Sequence, residues 1–181
     1  MELYRSVLAN ASDSSVNIIS IGFLTNTAEL LRSTAADTSS MSGPDLVSSR
    51  VKELVIMGGE YPSGWEFNFG GYDSTSTHFV LSHWPRSVPI TFSGGELGGN
   101  IDSGQDLRSH APPDSPVLAA YEWYVGRCST TRRSRDPITT LYGILGLNGF
   151  AELGIKAPFA YANAVGYNSI TFGERVECLG E

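Results

Sequence analysis

The chain reads as an α/β protein, a mostly parallel sheet flanked by helices, and three observations predict this. Short β-branched runs alternate with helix-like stretches: "SVNIIS" before "TAELLRS", "KELVIM" before "STSTHFVLSHW", "VPITFS" before "SPVLAAYEWYV". Each run closes on glycine, in "SIGFLTN", "IMGGEYP" and "FSGGELGG", where a strand must turn sharply into a loop. Apolar residues make up 41% and charged residues 17% of 181 positions, which is enough for one real core. No repeat, low-complexity stretch or linker composition divides the chain. A single domain over residues 1–181 is the simplest organisation.

Taken in order, Val16 to Ile21 is β-branched and bounded by polar residues, which makes it a strand. Gly22 permits a sharp turn, and Thr25 or Asn26 offers a side-chain cap for a helix running to about Arg32. "TAADTSSMSGP" is a loop, and "PDLVSSRV" is a short helix entered through Pro44. "KELVIMGG" is the second strand. "STSTHFVLSHWP" is a helix stopped by Pro85, and "SVPITFSGGELG" is the third strand. Asp114 or Ser115 caps the helix in "SPVLAAYEWYVG", and Pro137 falls in the first turn of the helix in "DPITTLYGILGL". The tail, "APFAYANAVGYNSITFGERVECL", suggests two short strands paired as a hairpin.

Charge and motif content remove several function classes. The net charge is −7, whereas a nucleic-acid polymer calls for a basic stripe. The one basic cluster, "RRSR" at Arg132 to Arg135 beside Arg127, reads as a solvated loop. No apolar run approaches the ~18 residues of a membrane helix, so no membrane partner is expected. The opening "MELYRSVLANASD" has no basic-then-apolar signal pattern, and compartment stays undetermined. Cys128 and Cys178 lack metal spacing, and both free thiols and one disulfide remain open. His78, His83 and His110 form no metal-spaced cluster. No nucleophile elbow, Walker loop or dinucleotide glycine motif is present.

In open α/β sheets, ligands bind beyond the carboxyl ends of the strands. The three glycine loops would share such a rim. Within the second, "WEFNFGG" offers Glu66 and Asn68, a carboxylate and an amide suited to sugar hydroxyls. Phe67 and Phe69 are expected to pack beneath them. The same two polar residues would also serve to satisfy backbone groups in a glycine-rich turn. Asp136, just before Pro137, either caps a helix or reaches into the rim as a ligand.

Five strings in order, "IISIGFLTNTAELL", "ELVIMGG", "EFNF", "VPITFSGGELG" and "DPITTLYG", give the sequence a resemblance to the inosine–uridine-preferring nucleoside hydrolases, in particular the fungal branch. The resemblance spans roughly Leu3 to Ile170. It implies a mostly parallel α/β fold and hydrolysis of the N-glycosidic bond of ribonucleosides to base and ribose. It also implies a bound Ca2+ that holds the ribose diol and activates water. By motif, Asp136 falls on the family's late calcium-ligand aspartate, and Ile21 on the position that gives calcium a backbone carbonyl. Glu66 and Asn68 fall on ribose-binding residues, and Met57 on a pocket methionine. Arg135 occupies the leaving-group acid position, where many members carry histidine. An arginine stays protonated, so it suits charge stabilisation better than proton donation.

The family's opening aspartate cluster, D-x-D-x-x-x-D-D, has no counterpart in this sequence. The resemblance therefore implies a shortened domain, lacking the first strand and the usual C-terminal segment. Asp73, Glu96, Asp102 and Asp106 are other carboxylates along the way, with Asp73 best read as a helix cap. Three outcomes follow: a calcium-dependent N-ribohydrolase, an inactive homologue acting as a nucleoside-binding or protein-interaction module, or part of a longer product. The expected partner is a ribonucleoside or ribose. An exposed sheet edge also suits a second copy of the chain.

Overall fold

A computed structural model describes the backbone of residues 1–154, 168–170 and 178–180, and the side chains of residues 1–154. In order, its elements are α1 (Glu2–Ala9), β1 (Val16–Ser20), α2 (Thr25–Arg32), α3 (Gly43–Arg50), β2 (Val51–Met57), α4 (Phe67–Gly70), α5 (Ser74–His83) and β3 (Ile90–Ser93). There follow β4 (Asp102–Ser103), α6 (Leu107–His110), α7 (Pro116–Val125), β5 (Arg132–Arg133), α8 (Arg135–Glu152), β6 (Asn168–Ile170) and β7 (Cys178–Gly180).

The central sheet has the order β1-β2-β3. Both pairings are parallel, with Ser20 opposite Ile56 and Met57 opposite Ser93. The expected α/β class with a parallel sheet flanked by helices is therefore what the chain forms. In the middle strand, Leu54, Val55 and Ile56 are all fully buried. A strand covered on both faces needs such an unbroken apolar run. Leu54 and Ile56 join Leu24, Leu30, Leu46, Val80 and Phe69 in one core beneath α2, α3 and α5. The alternate residues meet α8: Tyr142 donates from its hydroxyl to Glu53 Oε1 at 3.1 Å. Asn17 Nδ2 donates to the Gly143 carbonyl at 2.8 Å. A side chain at Gly143 would run into Ile19, so the glycine lets α8 approach the sheet.

Several local expectations need correction. The opening segment, for which no element was expected, is helix α1. Its buried face holds Arg5 and Leu8, and a charged residue at a core position hides the apolar period. The Arg5 guanidinium donates to Ser33 Oγ at 2.8 Å, Ser39 O at 3.0 Å and Met41 O at 2.7 Å, which ties α1 to the following loop. Helix α2 starts from Leu24 with no side-chain cap. Neither expected cap, Thr25 or Asn26, serves as one, and Thr25 donates instead to Asp73 Oδ2 at 2.5 Å. Asp73 does cap α5, accepting from Ser76 N at 3.1 Å. Part of the "RRSR" loop is a strand, since Arg132 and Arg133 pair antiparallel with Ser103 and Asp102.

The tail carries the expected antiparallel pair, with Ser169 opposite Leu179. The rest of that segment and the Cys178 thiol lie outside the described residues. Cys128 is a free, exposed thiol. Among the described residues, no helix is long and apolar enough to cross a membrane.

Candidate functional site

The parallel register brings the carboxyl ends of β2 and β3 level, and the pairing continues into their loops. Gly58 N donates to Ser93 O at 3.0 Å, and Gly95 N donates to Gly59 O at 2.7 Å. Two glycine-rich loops are thereby laced together along the rim. Gly59 has φ +83°, a left-handed conformation that glycine adopts without penalty. A side chain at Gly58 would collide with the Phe69 ring.

Phe69 is fully buried and meets Phe92 edge-on, with ring centroids 6.2 Å apart. It anchors α4 to the core, as expected. Phe67 does not pack beneath the loop. It is half exposed and lies at the centre of a ring cluster with Phe23 at 5.4 Å, Tyr72 at 5.9 Å and Trp65 at 6.2 Å. On one turn of helix, successive side chains point about 100° apart, so Phe67 and Phe69 cannot both face the core.

Glu66 is the N-cap of α4. One carboxylate oxygen accepts from Asn68 N at 2.9 Å, and the other from Phe69 N at 3.1 Å and Gly59 N at 3.3 Å. Burial raises its pKa above the ordinary 4.5, against the pull of those backbone donors. Asn68 turns its amide nitrogen to Met57, donating to the carbonyl oxygen at 3.1 Å and contacting the sulfur at 3.0 Å. Its Oδ1 is the end left to accept from a hydroxyl. Met57 itself is buried at the end of β2.

From the other side, the start of α8 grips the loop after β3. Ser134 N donates to Gly98 O at 3.2 Å and to Ile101 O at 2.8 Å. Arg135 Nε donates to the Gly95 carbonyl. The same Gly95 leaves its missing side chain's position 3.4 Å from Glu66 Cγ. Glu66 and Arg135 therefore flank a single glycine. Asp136, next along, is half-buried; burial raises its pKa, opposed by the Arg132 and Arg135 guanidinium groups.

The structure thus brings Glu66, Asn68, Met57 and Arg135 to one stretch of rim. Ile21 follows β1 at the same end of the sheet and is 47% exposed. Asp136 stands two turns before Gly143, where α8 rests on β1, so about 10 Å of helix separates it from that contact. A calcium ion takes six to eight oxygens. Among the described residues, no group of three or more His, Cys, Asp or Glu side chains gathers to hold a metal. Asp136 and the Ile21 carbonyl by themselves fall short of that shell, and two guanidinium groups act on the carboxylate. A calcium ion here would need oxygens from elsewhere.

Some features of the site were not foreseen. Ser93 Oγ at the end of β3 and Ser134 Oγ before α8 are buried and make no hydrogen bond. Both flank the Gly94–Gly99 loop, and nothing in the sequence marks them. The ring cluster did have a signal, because Trp65 and Tyr72 interrupt a loop otherwise rich in glycine.

No family model, curated protein or solved structure matches the chain.

Proposed function

We propose that the chain is a nucleoside hydrolase-like protein whose rim binds a ribonucleoside through its ribose. The observation that carries this reading is the pairing of Glu66 and Asn68 on α4. Three backbone N–H groups hold the Glu66 carboxylate in place, and Met57 holds the Asn68 amide nitrogen. An ionised carboxylate has about four acceptor positions, so one remains, and Asn68 Oδ1 offers a second acceptor on the same turn. Two fixed acceptors suit the two hydroxyl donors of a sugar diol.

The reaction that fits such a site is hydrolysis of the N-glycosidic bond. Water adds to the anomeric carbon, the bond to the base nitrogen breaks, and the departing base takes a proton. Carboxylates beside the sugar stabilise its developing positive charge. Arg135, always protonated, stabilises negative charge on the base rather than donating a proton. The Ca2+ that the resemblance implies would need oxygens beyond Asp136 and the Ile21 carbonyl, so no step is assigned to it. A second reading, a module that binds nucleoside without cleaving it, is favoured by one observation. Glu66 is committed to backbone donors and Asp136 stands among arginines, so neither is a free base for water.

Free ribose release from inosine and uridine, with calcium and with a chelator, separates these readings. Calcium-dependent release supports the enzyme. Calorimetric binding of inosine without release supports the module. In either case Asn68→Ala should weaken inosine binding about tenfold, the worth of one hydrogen bond of ~1–1.5 kcal/mol. No binding of inosine or ribose by the folded chain sinks both readings, and an Asn68→Ala effect on melting alone makes the "EFNF" turn structural.

A further inference from the structure

Buried hydroxyls without a hydrogen-bond partner are uncommon, and each calls for a reason. Ser93 is one: it is 6% exposed at the end of β3, and its Oγ is unpaired. Side chains alternate along a strand, which fixes where it points. Thr91 meets Glu53 and Tyr142 on the α8 face. Phe92 points the other way, to Phe69 in the core. Ser93 therefore returns to the α8 face. On β2 the same face holds Glu53, Val55 and Met57, because Leu54 and Ile56 lie in the opposite core. Met57 stands opposite Ser93 in register, and its sulfur meets Asn68 Nδ2 at 3.0 Å.

Two residues past Ser93, the Cβ position of Gly95 lies 3.4 Å from Glu66 Cγ. The Gly95 carbonyl accepts from Arg135 Nε. Ser93 thus stands at the foot of the rim stretch that Glu66, Asn68, Met57 and Arg135 line.

The hydrogen-bonding inventory of that stretch is one-sided. An ionised Glu66 and Asn68 Oδ1 only accept. Asn68 Nδ2 is spent on Met57, and Arg135 Nε on Gly95. A sugar hydroxyl both donates and accepts. One that donates to Glu66 or Asn68 still has lone pairs to satisfy. The Ser93 hydroxyl is a donor that no other group uses among the described residues.

We propose, resting on the ribose-binding reading above, that Ser93 is a specificity-determining residue of this site. Its Oγ–H donates to one hydroxyl of the ribose diol, which in turn donates to Glu66 or Asn68. The ligand reaches Ser93 as Met57 shifts, and an unbranched thioether adapts readily to such a change.

Calorimetric titration with inosine, 2′-deoxyinosine and 3′-deoxyinosine tests this on the wild type and Ser93→Ala, together with thermal melting without nucleoside. Ser93→Ala should melt no lower than the wild type, because it removes a buried hydroxyl that gains nothing in the fold. It should bind inosine roughly five- to tenfold more weakly, the loss of one hydrogen bond. It should also lose the preference for inosine over one deoxy analogue and keep the other, the mark of a direct pairing. Thr77 Oγ1 on α5 is equally buried and unpaired, so Thr77→Val is the control and should leave all three affinities unchanged.

Unchanged inosine affinity in Ser93→Ala overturns the inference and leaves the ribose-binding reading standing. A lower melting temperature overturns it too, because the hydroxyl would then serve the fold. Equal weakening towards all three nucleosides, or a matching loss in Thr77→Val, overturns it as an effect of packing. A wild type that binds none of the three removes the ribose-binding reading, and this inference with it.

Discussion

The chain up to Ser93 and the chain from Gly94 to Ser134 are built differently. In the first, strands and helices alternate and bury one another. Every large hydrophobic side chain that is fully buried among the described residues lies between Leu24 and Val80. In the second, no hydrophobic side chain is buried. Its strands have two residues each, and its one long helix is held by caps and single polar contacts. The candidate site lies on the seam, where Gly95 is flanked by Glu66 from the first part and gripped by Arg135 just beyond the second. Packing of Phe69 anchors the turn that carries Glu66 and Asn68, whereas a hydrogen bond to the Gly95 backbone sets the position of Arg135.

The largest expected effect separates the two parts outright. Phe69→Ala removes a ring with no exposed surface, and should lower unfolding free energy by ~3–5 kcal/mol. Trp123→Ala removes a larger ring from the other part and should stay within ~0.5 kcal/mol. Urea unfolding at low protein concentration reads both. A large loss from Trp123→Ala would mean that the segment after Gly94 has a core of its own.

A smaller effect probes how α8 joins the sheet. Glu53 Oε1 accepts from the Tyr142 hydroxyl and from Thr91 Oγ1. Tyr142→Phe should lower stability by about 1 kcal/mol, one buried hydrogen bond. Helix α8 also brings Arg135 to the rim, so the same variant should loosen ligand binding more than it loosens α2 or α5. Hydrogen exchange resolves the two regions. Equal loosening across the sheet would make α8 part of the core rather than a clasp on it.

What the sequence revealed follows the same division. Period and composition disclosed β1, β2, β3 and α5, because their residues are chosen by burial. Ser115, one of the two caps expected, disclosed the start of α7, because caps are local chemistry. The register that levels Met57 with Ser93 follows from parallel strands, so a shared rim was legible too. Helix α1 was hidden because Arg5 occupies a core position, its charge met by two carbonyls and a serine that no local pattern announces. The strand at Arg132–Arg133 was hidden because two-residue pairings have no period. At the site, Glu66 and Asn68 stood out as polar residues among phenylalanines. Sequence could not show that Glu66 spends three acceptor positions on backbone, since that depends on how tightly the turn closes.

Two helix caps make the subtlest comparison, because the same chemistry is tuned in opposite directions. Asp73 is partly exposed, and its pKa falls below 3.8 through hydrogen bonds from Thr25 and Ser76. Its ionised form favours the fold, so its contribution is present above pH 3.8 and fades as pH falls through the lowered value. Glu66 is more deeply buried, and burial raises its pKa above 4.5 despite its backbone donors. Its protonated form favours the fold, so that contribution is present below pH 4.5 and is lost as pH rises through the raised value. Asp73→Ala should lose about 1 kcal/mol of cap at pH 6, and the gap to wild type should narrow towards pH 3. Glu66→Gln carries a loss of one acceptor at every pH. Its gap to wild type should narrow in the other direction, as pH rises from 4 to 7. Urea midpoints of the three proteins across that range give both trends. If the two gaps move together, hydrogen bonding rather than burial governs Glu66.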